Sequence, residues 1–378
     1  MHSRRFAFLP MAGLLVLASV FAAGSAWAQS ISGISGSPAH SSAVVISGTG
    51  FGTRAQPTPM QYDDFEEGSS GGVLTTSSGT NGWSEVGAST GLPANFPKYS
   101  PSAAHAGSLG MYCNFDPPVY NCSVNLHNQA RFQSGFYLDA WMRYFRPQND
   151  SRSWKPWDLY GSSGGTGWGN PVIDWFGTCT GTVTFAGYTD IASPSGFSAS
   201  MNANLATFTG TMHHLQIWAK PNTPTGASNG VIRITVDGVD VLSRTNMMFI
   251  GAGSTNTWAR LGLGYYMSHD QQNQTSCVSP VGTGGAMYWD NVYIDNTQAR
   301  VELGNAATYA ACTYREIQIP TAWSATQVGI SFNQGTFQPG DHAWLYVANS
   351  DGTVSPGYEI TIGGTAPSGP GQPGKPTF

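Results

Sequence analysis

One predicted β-strand carries residue types that could act on an acidic sugar. In FYLDAWMRYF (136–145), strand alternation places Arg143 on the same face as two aromatic side chains and an aspartate. The segment GYYMSHD adds Tyr266 and His269. β-Elimination from a uronic acid needs a cation or amide to neutralise the carboxylate, and a tyrosine, histidine or lysine to remove the C5 proton. These residues would support the chemistry of a polysaccharide lyase, with Arg143 as neutraliser and Tyr266 or His269 as base.

A second set of side chains could bind a sugar without reacting with it. The segment SWKPWDLYGS is rich in proline and glycine and is predicted to be a turn-like loop. Tryptophan and tyrosine rings stack on sugar rings while their polar edges form hydrogen bonds. The candidate sugar-stacking residues are Trp154, Trp157 and Tyr160 of this loop, with Tyr137 and Trp141 of the strand. The alternative, that these aromatic side chains only fill the core, stays open.

The sequence argues against several other reaction classes. A glycosidase needs two carboxyl groups at a fixed separation, but no glutamate occurs between Glu85 and Glu302. The aspartates of that region form no E-x-D-x-x-E strand of the kind that β-glucanases use. There is no G-x-S-x-G nucleophile elbow. Glycine clusters such as GSSGGTGWG lie between predicted strands, so they indicate loops and not phosphate-binding turns.

The N-terminus predicts export. Positive charges, an apolar stretch and an A-x-A cleavage site at 26–28 form a signal peptide over residues 1–28, so the mature chain should begin at Gln29. We therefore expect a secreted or periplasmic protein. The formal net charge of −5 becomes about −7 once the two signal-peptide arginines are removed, which argues against a nucleic-acid partner. No later apolar run reaches about 18 residues, so we expect no membrane span.

The five cysteines predict disulfides, because an exported chain meets an oxidising compartment. Cys113 and Cys122 bracket a short loop with two prolines, so a local bridge between them is the simplest pairing. Cys179 with Cys277 is the second pairing, which leaves Cys312 free or intermolecular. No C-x-x-C spacing supports a zinc or redox site.

Short strands separated by turns predict an all-β protein. The most specific segment is HHLQIWAKPNTPTGASNGVIRITVDGVDV, in which a Gly/Pro/Asn turn and an Asp-Gly turn join three alternating strands. This series resembles the laminin-G and legume-lectin (concanavalin-type) jelly roll and the polysaccharide lyases built on it. The resemblance implies an antiparallel jelly-roll sandwich over 62–297.

The same resemblance suggests a structural calcium ion. Carbohydrate-binding jelly rolls of this type hold Ca²⁺ between a first-strand D-F-E and a last-strand D-N-V, which are similar to YDDFEEG and WDNVYID here. The implied ligands are Asp64, Glu66 and Asp290. Crowded carboxylates repel one another unless a cation neutralises them, and calcium takes six to eight oxygen ligands. The alternative is a solvated acidic turn.

The two ends of the chain resemble halves of one IPT/TIG module, a small immunoglobulin-like β-sandwich. ISGISGS and VVISGTGFGT in 31–60 are similar to its first half, and the strands of 298–363 are similar to its second half. An immunoglobulin-like sandwich needs about 100 residues, which only the two segments together supply. We therefore predict a discontinuous module with the jelly roll inserted, in which residues 44–47 pair with strands of 298–363. The alternative is that 31–60 extends the jelly roll and 298–363 folds alone.

The sequence as a whole favours a secreted protein that binds a polysaccharide or a cell-surface glycan, without an organic cofactor. A polysaccharide lyase on the same sandwich is the second hypothesis, so whether the protein is an enzyme stays open. An adhesion or structural module is the third. The Pro/Gly-rich residues 364–378 hold no core residues and are predicted to be a disordered tail.

Overall fold

The computed structural model describes residues 29–364 with internal gaps. The gaps are residues 89, 117–118, 120, 128–131, 133, 146–152, 163–170, 178–181, 188–196, 205–209, 255–256 and 269–284. The backbone alone is described for strand residues 153–155, 160–162, 171–177, 182–187, 197–204 and 265–268. Several predictions therefore lie outside the described residues, namely the signal peptide 1–28, the tail from 365, Cys179, Cys277 and His269, together with the side chains of Trp154, Tyr160 and Tyr266.

The described residues form β-strands and three short 3-10 turns, and no α-helix occurs among them. The first eleven strands are β1 (Ser30–Ser35), β2 (Ala43–Thr49), β3 (Gln61–Asp63), β4 (Glu85–Ala88), β5 (Lys98–Ser100), β6 (Gly110–Asn114), β7 (Cys122–His127), β8 (Phe136–Phe145), β9 (Ser153–Ser162), β10 (Pro171–Gly177) and β11 (Thr182–Gly187). The others are β12 (Phe197–Asn204), β13 (His213–Lys220), β14 (Gly230–Val236), β15 (Val239–Met247), β16 (Thr257–Ser268), β17 (Ala286–Asp295), β18 (Arg300–Gly304), β19 (Arg315–Trp323), β20 (Gln327–Ser331), β21 (His342–Ala348) and β22 (Tyr358–Thr361). The 3-10 turns are Pro93–Asn95, Pro101–Ala103 and Tyr309–Ala311.

The central part of the chain is a sandwich of two antiparallel sheets, and the predicted all-β fold is confirmed. One sheet has seven strands in the order β12-β11-β10-β9-β16-β7-β4. The other has eight, in the order β15-β14-β13-β8-β17-β6-β5, with β3 also paired to β17. Alternate residues of facing strands meet in one core, as Leu138, Ala140 and Met142 of β8 do with Leu261 and Leu263 of β16. The other face of each sheet points away from this core.

The segment SWKPWDLYGS is a strand, so the predicted loop is wrong. It forms β9, in which Trp157 and Leu159 are fully buried in the sandwich core. The error came from Pro156, which cannot donate a hydrogen bond to a neighbouring strand. The pairing of β9 shifts register across Pro156 against both β16 and β10. Such irregularities accommodate a proline inside a sheet, so the alternation of Trp157 and Leu159 was the better signal.

The two ends of the described chain share a third sheet, ordered β1-β2-β20-β19-β18-β21-β22. Residues 44–47 of β2 pair with residues 327–330 of β20, which lie within the range 298–363. Phe51, from the GTGFG segment that follows β2, is fully buried. It shares one core with side chains from 301–362, including Leu345. We call residues 30–51 and 300–362 the terminal module, and its assignment to the IPT/TIG family stays a prediction.

The terminal module packs against the outward face of the eight-stranded sheet. A small apolar cluster at the contact joins Tyr62, Tyr137 and Tyr293 of the sandwich to Ile317 of the module. Polar groups surround it, including an ion pair between Arg54 and Asp295 and another between His105 and Glu316. One face of the sandwich is therefore covered, and the outward face of the seven-stranded sheet is the other surface. Within the described residues, no helix is long and apolar enough to span a bilayer.

Candidate functional site

The structure places two of the predicted lyase residues, Arg143 and Tyr266, on different sheets, while His269 lies outside the described residues. Arg143 lies on β8 of the eight-stranded sheet, where its neighbours Met142 and Tyr144 point into the core and Arg143 points outward. Its guanidinium lies 4.0 Å from the ring centroid of Tyr288. Tyr266 lies on β16 of the seven-stranded sheet, opposite Lys155 of β9. Arg143 therefore faces away from the sheet that carries Tyr266, because the sandwich core separates them.

The predicted sugar-stacking residues with described side chains are buried. Trp157 is in the sandwich core and Tyr137 is under the terminal module. The indole of Trp141 stacks between His105, at a centroid distance of 3.5 Å, and His214, at 4.9 Å. Trp157 and Trp141 stabilise the fold and its module contact and leave no exposed platform for a sugar, whereas the ring of Tyr137 lines a cavity at that contact. The sequence could not separate these uses, since both place an aromatic side chain on a strand.

A set of buried polar side chains lies on the outward face of the seven-stranded sheet. Its members are Ser123 and Asn125 of β7, Asp158 of β9 and Arg260 of β16, and we call it the outer polar cluster. Each alternates with residues that point into the core, such as Val124. Yet none of the four is more than 4% exposed. Buried polar groups need hydrogen-bond partners, so we treat this cluster as a candidate site for a polar ligand.

Hydrogen bonds orient the guanidinium of the outer polar cluster. Nε of Arg260 donates to Oδ1 of Asn125 at 3.1 Å, and Nη2 donates to Oε2 of Glu85 at 3.1 Å. Glu85 comes from β4, and 46% of its side chain is exposed. The Nε2 atom of His127 lies 3.4 Å from the same carboxylate oxygen. Three strands therefore meet at one buried cation with a partly solvated counter-charge.

The histidine beside this cluster is held in its neutral form. Burial lowers the pKa of His127, and the positive charge of Arg260 lowers it further, while Glu85 opposes both effects. At neutral pH the imidazole can therefore accept a proton. A guanidinium that binds a carboxylate next to a neutral imidazole matches the requirements of β-elimination. Sequence reasoning missed Arg260, Asn125 and His127, although CSVNLH alternates polar and apolar residues as a half-buried strand does.

The acidic segment YDDFEEG forms a cluster that differs from the predicted one. Carboxylate oxygens of Asp63, Asp64 and Glu67 all lie within 4.8 Å of one another. Burial raises the pKa of Asp63, and the negative charge of Glu67 raises it further. Burial also raises the pKa of Asp64. A cation would relieve this repulsion, so these three residues have the donor chemistry of a calcium site.

The other two predicted calcium ligands have different partners. Oε1 of Glu66 accepts hydrogen bonds from the backbone N–H groups of Ser108 and Leu109, both at 2.7 Å. The carboxylate of Asp290 accepts from three backbone N–H groups, those of residues 105, 106 and 291. The predicted set of Asp64, Glu66 and Asp290 therefore does not form one cluster in the structure, and the calcium site itself stays a prediction. The strand ends at Asp63, so strand alternation does not extend to Glu66.

The predicted bridge between Cys113 and Cys122 is also absent from the structure, which holds both residues as free, buried thiols. They lie on opposite sheets of the sandwich, and the thiol of Cys113 donates to the carbonyl oxygen of Cys122 at 2.9 Å. Burial raises the pKa of the Cys113 thiol well above its usual value. Cys312 is a third buried free thiol.

No protein-family model and no curated protein matches the chain. Among solved structures, the chain is similar to an endo-β-1,4-glucuronan lyase from the fungus Trichoderma reesei, at 14% identity and a TM-score of 0.44, over 64% of this chain and 96% of that one. It is similar to alginate lyase Aly36B, at 17% identity and a TM-score of 0.43, over 64% and 98%. Alginate lyase vAL-1 from Chlorella virus gives 13% identity and a TM-score of 0.37, over 50% and 84%. At these values the likeness transfers no activity to this chain.

Proposed function

We propose that the protein binds an acidic polysaccharide along the outward face of the seven-stranded sheet. The observation that carries the proposal is Arg260, which is 4% exposed and yet points away from the sandwich core. A buried guanidinium costs free energy unless anionic or hydrogen-bonding groups surround it. Arg260 pairs with Glu85, whose side chain is nearly half exposed, so a ligand can approach this ion pair from solvent.

The sheet geometry suits a chain-like ligand. The strands β4, β7, β16 and β9 are neighbours in one sheet, and the outer polar cluster extends across three of them. A polymer that crosses these strands would meet Arg260, then the amide of Asn125 and the hydroxyl of Ser123. A guanidinium can bind a sugar carboxylate, and amide and hydroxyl groups can hydrogen-bond to sugar hydroxyls.

The test is retention of the protein by acidic and neutral polysaccharides in affinity electrophoresis. Asn125→Asp should weaken binding to acidic polymers by about tenfold or more, because a like charge opposes the ligand while its carboxylate still accepts from Arg260. Asn305→Asp makes the same charge change at an exposed site of the terminal module, and it should bind normally. Equal retention of both variants would refute the proposed site. Retention by no polysaccharide would favour the adhesion hypothesis.

The neutral His127 favours a second candidate function, β-elimination at the same site. In this reaction His127 would take the C5 proton of a uronate unit while Arg260 neutralises its carboxylate. The C4–O bond would then break, a C4=C5 double bond would form, and the leaving oxygen would gain a proton from solvent. Tyr266 on the neighbouring part of β16 is the alternative base, as the sequence predicted.

Ultraviolet absorbance of the new double bond separates binding from elimination. A lyase should produce it from a uronate polymer, and His127→Gln should abolish the signal while the polymer is still retained. Arg143→Gln should leave the rate unchanged, since Arg143 points away from the seven-stranded sheet. Retention of the polymer without any absorbance change would leave binding as the function.

We further propose that calcium stabilises the loop after β3 through Asp63, Asp64 and Glu67, and that the protein is exported. Support for calcium comes from the raised carboxyl pKa values of Asp63 and Asp64, since a divalent cation would reverse the repulsion that contributes to them. Support for export comes from the composition of residues 1–28. N-terminal sequencing of the mature protein tests the export proposal, and a first residue other than Gln29 would contradict the cleavage site.

A further inference from the structure

A cavity of about 240 Å³ lies where the terminal module meets the eight-stranded sheet, on the opposite side of the sandwich from the outer polar cluster. Its floor is a row of cross-strand neighbours, in which Tyr137 of β8 pairs with Trp218 of β13 and Trp218 pairs with Arg233 of β14. The next row supplies Gln216 and Thr235. The opposite wall is formed by residues just before, within and after β18, by one residue of β19, and by the turn before β22. Those wall residues are Gln298, Arg300, Tyr309, Ala310, Arg315, Gly352 and Val354.

The lining of this cavity is cationic. It includes Arg233, Arg300 and Arg315, and none of its described residues is an aspartate or a glutamate. The carboxylate of Glu302 binds Arg300 and Arg315 from within the module, at 2.9 and 3.2 Å, and is itself 1% exposed. Asp240 binds Arg233 from the rim, where both side chains are about half exposed. Both carboxylates therefore lie outside the cavity lining, Glu302 within the module and Asp240 at the rim, whereas the arginine side chains line the cavity.

Two of the three arginines keep donors without a protein acceptor. Nε and Nη2 of Arg315 bond to Glu302 and Gln216, but no described residue accepts from its Nη1. Within the described chain, Arg233 likewise uses only its Nε, toward Asp240. A side chain on Gly238 would begin 3.5 Å from Nη1 of Arg315, so the glycine keeps this approach open. An anion entering the cavity would meet donors from both the sandwich and the module.

The other lining groups specify what kind of anion would bind. Trp218 is half-buried, and the phenol rings of Tyr137 and Tyr309 also line the cavity. Flat rings suit the apolar face of a sugar, while the side chains of Gln298 and Thr235 suit its hydroxyl groups. A bare inorganic anion would use the arginines alone. The volume lies just below the usual range for small-molecule sites, which suits a single sugar unit at the end of a chain.

We propose that this cavity is a second ligand site, which binds a carboxylate-bearing sugar unit, such as the end of a uronate oligosaccharide, between the sandwich and the terminal module. The guanidinium groups of Arg233 and Arg315 bind the carboxylate, and Trp218 lies against the ring. The site does not depend on the outer polar cluster, so it holds whether or not the seven-stranded sheet binds or cleaves a polymer.

The experiment measures binding of a β-1,4-linked glucuronate tetrasaccharide by calorimetry. The background is the full chain carrying Asn125→Asp, in which binding at the outer polar cluster is weakened. Ala310 lines the cavity and is exposed, so its replacement should not disturb the core. Ala310→Glu should weaken binding at least about tenfold, because its carboxylate competes for the arginines. The uncharged, nearly isosteric Ala310→Gln should bind more tightly than Ala310→Glu by a similar factor.

Two further measurements separate this site from a general charge effect. Arg233→Gln should weaken binding, whereas Arg244→Gln, which removes an exposed charge from the neighbouring strand outside the cavity, should not. Cellotetraose, which has the same linkage and no carboxylate, should bind more weakly than the glucuronate by about tenfold or more.

The outcomes distinguish the two sites. Loss of all binding in the Asn125→Asp background would overturn the cavity site and leave the outer polar cluster as the binding site. Equal affinities of Ala310→Glu and Ala310→Gln, or of Arg233→Gln and Arg244→Gln, would also overturn it. Binding that is insensitive to Asn125→Asp but lost in Ala310→Glu would support the cavity and refute the proposed function at the seven-stranded sheet.

Discussion

Replacing Glu302 by glutamine should destabilise the protein by about 3 kcal/mol at neutral pH, because it removes the only buried carboxylate that binds both module arginines among the described residues. Its oxygens accept from Arg300 and Arg315, from Tyr309 at 2.8 Å and from Gln216 at 2.8 Å. Gln216 belongs to the sandwich, so the network also joins the two parts of the chain. Breaking a buried ion pair on one side leaves its partner charge uncompensated, which typically costs about 3–5 kcal/mol.

The pKa of Glu302 leads to a similar value for the loss of folding free energy. Burial alone would raise it, but the positive charges of Arg300 and Arg315 dominate and lower it from 4.5 to about 2. This shift corresponds to about 3 kcal/mol of stability. Because the folded-state pKa is the lower one, that stability is present above pH 4.5 and is lost as the pH falls toward 2. At pH 3 roughly half of it should be gone.

The assay is thermal unfolding of the full chain at pH 7 and at pH 3. Glu302→Gln should lower the Tm by roughly 6 °C at pH 7, and the difference from the unchanged protein should shrink at pH 3. Glu359→Gln is the matched control, since Glu359 lies in the same module and pairs with His342, but 57% of its side chain is exposed. A surface pair contributes about 1 kcal/mol or less. Equal destabilisation by both variants, or a pH-independent effect of Glu302→Gln, would refute the reasoning.

Three other predictions concern metal, thiols and pH. Ca²⁺ should raise the Tm of the EDTA-treated protein but not of Asp64→Asn, and an unchanged Tm in both would remove the calcium proposal. The thiols of Cys113 and Cys122 should resist alkylation until the protein unfolds, because both are buried; a non-reduced mass that shows them oxidised would contradict the structure. Burial lowers the pKa of His214, but Asp139 outweighs it and the pKa is raised, so stability should fall as the pH rises above about 6.5. His214→Gln should flatten this part of the pH profile, and a profile that is unchanged in the variant would show that another group titrates.

The strands that the sequence predicted best are those in which apolar and polar side chains alternate. FYLDAWMRYF and HHLQIWAK match β8 and β13 residue for residue, since apolar and polar side chains alternate along both. The Asp237-Gly238 turn between β14 and β15 was also predictable, because both residues have positive φ angles, which aspartate tolerates and glycine favours. Alternation specifies which residues point outward in each strand, but it does not say what lies against them.

The candidate site could not be predicted because it depends on strand register. Glu85, Asn125 and Arg260 are far apart in sequence and meet only because β4, β7 and β16 are neighbours. No spacing along the chain signals such a meeting. The acidic cluster shows a related effect on a shorter scale, since the turn at Phe65, where φ is +56°, places Asp63 and Glu67 together and moves Glu66 away.

The terminal module covers the outward face of the chemically suggestive strand β8. Tyr137, Asp139 and Trp141 all point outward from the sandwich, and each is 7% exposed or less because the module and its neighbouring loops cover that face. Asp139 is bonded to His214 and Gln216, which leaves its carboxylate no open side for a substrate. Among the described residues the outward face of β8 is therefore closed to a polymer, and the cavity at its edge could admit a chain end. The two proposed sites therefore differ in the ligand length that they should accept, a polymer on the seven-stranded sheet and a chain end in the cavity.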